Sequence, residues 1–211
     1  MKVYKTFEPE VSIILPTYNR ANLISRAISS VINQTFDKWE LVIIDDGSTD
    51  NTFEVVNRFL ELHQNIKYLK HSNRRPPLSF NAGILAAAGK YVTFLGSDDE
   101  YKNNHVQLRV KTFESNEVDF IYGGVEIIGN PFVKDKNDLT KEIHIAECVV
   151  GGTFFAPKEI FIEMGGFKDI YYSEDSEFFD RLTQRKYKIM KVDFPTYIYH
   201  RDTPDSICNN I

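Results

Sequence analysis

Two adjacent carboxylates, Asp98 and Asp99, follow a short apolar run, Tyr91-Val92-Thr93-Phe94-Leu95, bounded by Gly89 and Gly96. A β-branched and aromatic run of that length between glycines predicts a buried strand. Such a strand delivers both acids to its C-terminal edge, where open α/β sheets bind ligands. Neighbouring carboxylates repel each other unless a cation or a hydrogen-bond donor stands between them. A divalent ion carrying a diphosphate meets that need, because Mg²⁺-like ions take one or two carboxylates together with substrate phosphates. The plainer alternative is that Ser97-Asp98-Asp99 is a turn capping the next helix. A second acidic pair, Glu174-Asp175, opens a predicted helix carrying Phe178, Phe179 and Leu182. Acids in a first turn complement the helix dipole, so a structural role is the alternative there as well.

The elements that must position these acids can be read along the chain. Val11 to Leu15 forms a first strand, with Pro16 expected to end its ladder because it lacks an N–H. Leu23, Ile24, Ala27, Ile28, Val31 and Ile32 fall on one helical stripe. Trp39 to Ile44 is a second strand, ending in Asp45-Asp46-Gly47-Ser48-Thr49-Asp50, and Phe53 to Leu62 is the helix after it. Ile66 to Leu69 reads as a weaker strand, His71 to Leu78 as a loop, and Phe80 to Ala88 as a helix. Three strand–helix units in succession imply right-handed crossovers and a mostly parallel sheet flanked by helices, an α/β, Rossmann-like arrangement. Beyond Asp99 the pattern changes. Val106, Val110 and Phe113 suit a helix, Phe120 to Tyr122 a strand, residues 129–142 a charged loop, and Glu159 to Met164 a helix closed by Gly165-Gly166. The expectation is one domain over 1–211, with a nucleotide-type half to residue 100 and a differently built half after it.

With 211 residues, 42% of them hydrophobic, the chain can bury a substantial core. Its net charge of −5 offers no electrostatic case for nucleic acid as a partner. Cys148 and Cys208 are far apart and form neither a disulfide framework nor a zinc site of ordinary spacing. No signal-peptide h-region or membrane-length apolar run is present. A cytoplasmic protein is expected, either free or attached at the inner face of the membrane. No GxGxxG follows a predicted strand, and HExxH and GxSxG are missing, so dinucleotide, zinc-protease and nucleophile-elbow chemistry have no support.

Five motifs occur in one order: Val11-Ser12-Ile13-Ile14-Leu15-Pro16-Thr17-Tyr18-Asn19-Arg20, Asp45-Asp46-Gly47-Ser48-Thr49-Asp50, Ser97-Asp98-Asp99, Gly165-Gly166-Phe167 and Glu174-Asp175. Together, over roughly residues 10–200, they resemble family 2 glycosyltransferases. The resemblance implies the A-type glycosyltransferase fold and an inverting reaction. It also implies a nucleotide-diphosphate sugar donor, expected to be a UDP sugar, and a saccharide or lipid-linked saccharide acceptor. Pro16, Thr17, Tyr18 and Asp46 would then line the nucleotide pocket. Asp46 would accept from the uracil imide and Tyr18 would pack on the base, while Arg75 would reach the base or phosphates. Ser97 and Asp98 would face the nucleotide. Asp99, with Asp98 and a C-terminal histidine, His200, would hold Mn²⁺ or Mg²⁺. Asp175 matches the family's catalytic base, and Glu174 would hold an acceptor hydroxyl or position Asp175. Gly152-Thr153 and Gly165-Gly166-Phe167 would shape the floor of the donor-sugar and acceptor site. The loop over 129–142 and the C-terminal tail would set acceptor choice.

Two rival readings stand beside this one. A sugar nucleotidyltransferase on a similar sheet lacks support because its Gly-rich loop is missing. A non-catalytic nucleotide-sugar binder would have no need of a base such as Asp175 beside the Asp98-Asp99 pair.

Overall fold

The computed structural model describes residues 8–203. Cys208, the first seven residues and the tail after Thr203 lie outside that range. The first half alternates strand and helix: β1 (Val11–Thr17), α1 (Ile24–Ile32), β2 (Trp39–Asp45), α2 (Thr52–Leu60), β3 (Ile66–Lys70), α3 (Pro76–Ala86) and β4 (Tyr91–Phe94). The second half holds β5 (Glu100–Tyr101), α4 (His105–Ser115), β6 (Phe120–Ile128), β7 (Phe132–Asp135), β8 (Asp138–His144), β9 (Phe155–Pro157), α5 (Lys158–Glu163), α6 (Glu174–Thr183) and β10 (Ile189–His200).

Eight strands form one sheet in the order β3-β2-β1-β4-β9-β6-β10-β5. The ladders β1–β2, β2–β3, β1–β4 and β6–β10 are parallel, and those involving β9 and β5 are antiparallel. Both faces are covered, which is why β2 is buried at every position. Odd residues of β1 (Val11, Ile13, Leu15) join a core with α1, Val56 of α2 and Val106 and Val110 of α4. Ile14, from the other face, joins Ile84 of α3, Phe161 of α5 and Phe178 and Leu182 of α6. The stripe read along α1 is real: Ile24, Ala27, Ile28 and Val31 are fully buried, each large aliphatic contributing about 1.5–3 kcal/mol.

Three expectations are corrected. Pro16 does not end its strand, since it stays in register opposite Ile44. Along β1, even residues point their backbone polar groups toward β4, as the Leu95 N–H to Ile14 carbonyl bond shows. The β1–β4 ladder stops at Ile14, so the N–H that Pro16 lacks has no partner strand to meet. Residues 129–142 are no open loop but largely the β7–β8 hairpin, its ladder running from Phe132↔His144 to Asp135↔Asp138. Tyr172 donates from its hydroxyl to the Lys134 carbonyl, and Lys136 pairs with Asp180 of α6 at 2.6 Å, so the hairpin leans on α6. Finally, α3 starts at Pro76 rather than Phe80, because prolines are well tolerated where helix amides have no partner.

In the order β3-β2-β1-β4 the chain leaves β1 toward β2 on one side, and β4 returns on the other. A crevice opens at such a reversal, beyond the strands' C-terminal ends. β9 runs opposite to β4 and pairs Phe155 with Thr93, so the 3₁₀ turn Gly151–Thr153 just before it reaches the same edge. β10 runs parallel to β6 and brings Tyr197 to His200 there too.

Candidate active site

On one side of the crevice the loops after β1 and β2 are stitched together. Ser48 accepts from the Asn19 N–H at 2.9 Å, Thr52 from Arg20 at 3.0 Å and Asp50 from Ala21 at 3.1 Å. These side chains satisfy backbone amides of the loop that runs from β1 to α1. Asp45 is fully buried, accepting from the Ser48 N–H at 2.7 Å and from the Tyr68 hydroxyl. Asp46 accepts from the backbone N–H groups of Arg74 at 2.7 Å and Arg75 at 2.8 Å, with His71 Nδ1 3.3 Å away. It therefore fixes the loop before α3, where Arg75 holds a left-handed φ of 76°. The Arg75 guanidinium reaches Asp169 at 2.7 Å. Tyr18 is 45% exposed at the crevice rim, available to a flat ligand face.

Across the crevice, the two acids after β4 lie over Gly96. A Cβ on that glycine would stand 2.6 Å from Asp99 Oδ2 and 3.2 Å from Asp98 Oδ1. Asp99 is 3% exposed; its Oδ1 accepts from the His200 N–H at 2.8 Å and its Oδ2 from the Tyr197 hydroxyl. Burial and the charge of Asp98 push the Asp99 carboxyl up to about 8, against the pull of Tyr197, the His200 N–H and Arg26. Arg26 also donates to the Asp98 carbonyl. Converging carboxylate oxygens on one side of a glycine fit a hard divalent ion that completes its shell with phosphate oxygens. Asp98 and Asp99 would hold it. The His200 imidazole is placed otherwise, with Nε2 2.9 Å from Glu100 and Nδ1 3.3 Å from Asp202, so only its backbone meets Asp99. Among the described residues no group of three His, Cys, Asp or Glu side chains is arranged to hold a metal on its own.

The second acidic pair stands at the start of α6, behind Ser173 with its left-handed φ of 59°. Asp175 accepts from the Gly151 N–H at 2.8 Å and from the Ser176 N–H at 2.7 Å. Burial nevertheless raises its carboxyl above the ordinary range, those amides and Lys136 acting against it. Burial and the charge of Asp175 push Glu174 up to about 7. Both acids thus hold protons more tightly than exposed carboxylates do, which suits proton transfer near neutral pH. The glycines of the other motif have a local role. Gly165 and Gly166 turn the chain with φ of 74° and 69°, and Asn81 clamps Phe167 by its N–H and its carbonyl, both at 2.8 Å.

Several residues at the site are not singled out by their sequence context. Tyr197, Gly151 and Arg26 touch the acids named above only because β10, the 3₁₀ turn and α1 meet at one edge. Behind Tyr197 lies a buried polar cluster. Arg109 of α4 donates to Thr196 at 3.1 Å, to the Gly123 carbonyl at 2.8 Å and toward His105 at 3.2 Å. Burial and that guanidinium hold His105 well below the usual imidazole range, so it is neutral. Arg109 ties together the left-handed Gly123 of β6 and the irregular stretch of β10 before Tyr197.

Comparison with known proteins agrees with this architecture. A sequence model described as glycosyl transferase family 2 matches residues 12–186. The Escherichia coli protein named UDP-Glc:alpha-D-GlcNAc-diphosphoundecaprenol beta-1,3-glucosyltransferase WfgD is 37% identical over 146 residues, covering 67% of this chain and 57% of WfgD. An uncharacterized glycosyltransferase of Nostoc is 39% identical over 132 residues, 62% of this chain and 39% of that protein. The chain thus spans less than two thirds of the length of these relatives. Among solved structures, S. aureus TarS 1-349 in complex with UDP-GlcNAc superposes with a TM-score of 0.75 at 21% identity, covering 91% of this chain and 58% of that one. The mannosyltransferase PcManGT from Pyrobaculum calidifontis, in complex with GDP-Man and Mn²⁺, gives 0.73 at 22% identity, covering 92% and 57%. In sequence and in its A-type fold, the chain belongs to glycosyl transferase family 2.

Proposed function

We propose that the chain transfers a sugar, with inversion, from a UDP sugar to a hydroxyl of a saccharide or lipid-linked saccharide. The observation that carries this reading is the pairing at one sheet edge of two unlike acid centres. Asp98 and Asp99 converge over Gly96, and Glu174-Asp175, with raised affinity for protons, lies against Gly151. The names of WfgD and of the TarS complex support a UDP-linked donor, and that of WfgD a lipid-linked acceptor. The Mn²⁺ in the mannosyltransferase complex supports a divalent ion. No helix among the described residues is long and apolar enough to cross a membrane.

In this reading Pro16, Thr17 and Tyr18 form the wall against which the base packs, Asp46 accepts from the uracil imide, and Ser97 and Asp98 face the ribose and diphosphate. Arg75 stays with Asp169 at the rim. A divalent ion held by Asp98 and Asp99 would neutralise the diphosphate and stabilise it as a leaving group. Asp175 takes the proton of the acceptor hydroxyl while that oxygen bonds to the anomeric carbon and the bond to the diphosphate oxygen breaks. Glu174 orients the acceptor hydroxyl.

Asp175→Asn tests the assignment, because Asn keeps the shape but cannot take the proton. Transfer should fall by about 10²–10⁴-fold while Mn²⁺-dependent UDP binding stays near the parent's. Melting temperature should drop somewhat, because Asn can accept from only one of the Gly151 and Ser176 N–H groups. UDP affinity should fall at least about tenfold when the ion is chelated. Normal turnover with a slightly lower melting temperature would reduce Asp175 to a helix-dipole partner.

A further inference from the structure

The two acid centres are joined by a continuous chain of contacts through Tyr197 and the 3₁₀ turn before β9. At one end the Tyr197 hydroxyl donates to Asp99 Oδ2 and accepts from the Gly96 N–H at 3.2 Å, so it touches Asp99 and the glycine beneath it. The Tyr197 ring then lies flush against Gly152. A Cβ there would come within 2.3–2.4 Å of ring atoms Cε2 and Cζ and of the hydroxyl. At the other end Gly151 donates its N–H to Asp175 Oδ2 at 2.8 Å, and a Cβ on it would lie 2.9 Å from Asp175 Cβ. The turn between them is held from behind, as Thr153 accepts from the Gly123 N–H at 2.9 Å and donates to the Val150 carbonyl at 2.7 Å. Tyr197 is held too: Tyr101 meets its ring edge-on at 5.7 Å, and Arg109 grips Thr196. Adjacent glycines are needed because the carboxylate and the aromatic ring approach the same two residues with no room for a methyl group.

We propose that Tyr197 and the Gly151-Gly152 turn form a strut that sets the distance between the leaving-group end of the reaction and its base. The idea rests on the function proposed above. An inverting displacement needs the attacking oxygen opposite the departing diphosphate, so the proton acceptor and the carboxylates that hold the diphosphate's counter-ion must keep a fixed separation. Misplacement by about 1 Å can cost about 10²-fold in rate. Tyr197 and the two glycines are positioning residues and touch neither reacting atom.

Because the strut has two ends, its variants should separate. Tyr197→Phe keeps the ring on Gly152 but removes the donor to Asp99. It should weaken Mn²⁺-dependent UDP binding by about tenfold and lower kcat as well. Gly151→Ala presses on Asp175 alone. It should leave UDP affinity within about twofold of the parent and lower kcat by about 10²-fold. Gly152→Ala, between them, should lose both, but a methyl there can also disrupt folding, so the decision rests on the other two. The measurements are calorimetric titration of UDP with Mn²⁺ and UDP release from a UDP-hexose that the parent turns over, with melting temperatures alongside. Parent-like binding and turnover in Tyr197→Phe, or equal loss of UDP binding in both variants, would overturn the strut. Asp99→Asn and Asp175→Asn run in parallel: if they keep full turnover, the functional reading itself falls and the strut with it. If they lose turnover while Tyr197→Phe and Gly151→Ala do not, the strut alone fails.

Discussion

Asp45, Asp46, Asp99 and Asp175 share one functional group and one sheet edge, yet their neighbours give them four tasks. Asp45 is spent on Ser48 and Tyr68 inside the core. Asp46 spends one acceptor position on each carboxylate oxygen, binding the Arg74 and Arg75 amides, and a carboxylate oxygen can accept a second hydrogen bond. Asp46→Ala should therefore weaken UDP binding by about 1.5–3 kcal/mol, the worth of a hydrogen bond to a charged group, as read by calorimetry. A folded variant with parent affinity would put the base pocket elsewhere. Glu174 gives a pH signature. Its carboxyl is raised from the ordinary 4.5 to about 7 by burial and by Asp175, so the native state holds a proton that the unfolded chain gives up. Its share of stability is complete below about 4.5 and is lost as pH rises through about 7. Melting temperature should fall between pH 5 and 8 for the parent, and Glu174→Gln should lessen that fall, the remainder coming from Asp99, whose carboxyl is raised to about 8. An unchanged slope in the variant would assign the pH dependence to other groups.

At the scale of elements, the paired left-handed glycines between α5 and α6 make a graded prediction. A Cβ on Gly165 meets nothing within 4 Å, so Gly165→Ala should cost only the backbone strain, about 1–2 kcal/mol. A Cβ on Gly166 would stand 2.3 Å from Asn81 Oδ1 and break the clamp on Phe167, so Gly166→Ala should cost roughly 2–4 kcal/mol. Urea denaturation of the two variants checks the order. Most first-half elements were legible in the sequence because β1, β2 and β4 are apolar runs and α1 carries a helical stripe, whereas α3 carries none and its start was misplaced. The positions of Ser97-Asp98-Asp99 after a strand and of Glu174-Asp175 at the start of a helix were legible, since both follow from the apolar runs beside them. The β7–β8 hairpin was not, since its strands are charged and exposed and show no apolar alternation. Pro16 misled because its effect depends on which neighbour ends first, a property of the β1–β4 pair rather than of β1. Tyr197 and Gly151 stayed hidden for the same kind of reason: Tyr197 lies 98 residues beyond Asp99 and Asp175 lies 24 beyond Gly151, and no local pattern signals such a meeting.

Across the whole molecule, the acid pair of the first half is completed by the last strand of the second. The Asp99 contacts with Tyr197 and His200 span 98 and 101 residues, and β10 sits between β6 and β5. Contacts of that separation form late, because the intervening chain must be ordered first. The single tryptophan, Trp39, is 5% exposed in β2, within the locally connected half. On refolding, its fluorescence should recover before Mn²⁺-dependent UDP binding does. Coincident recovery in one exponential would mean that both halves fold as one unit.

The late position of β10 carries a consequence for biosynthesis. A nascent chain emerging from the ribosome displays Asp98 and Asp99 about a hundred residues before Tyr197 and the His200 amide exist to hold them. Until then the pair is an unsupported acidic turn, and Asp175 comes later than half the chain as well. A nascent chain that has not yet released β10 from the ribosome has neither the Tyr197 hydroxyl nor the His200 amide to orient the Asp99 carboxylate.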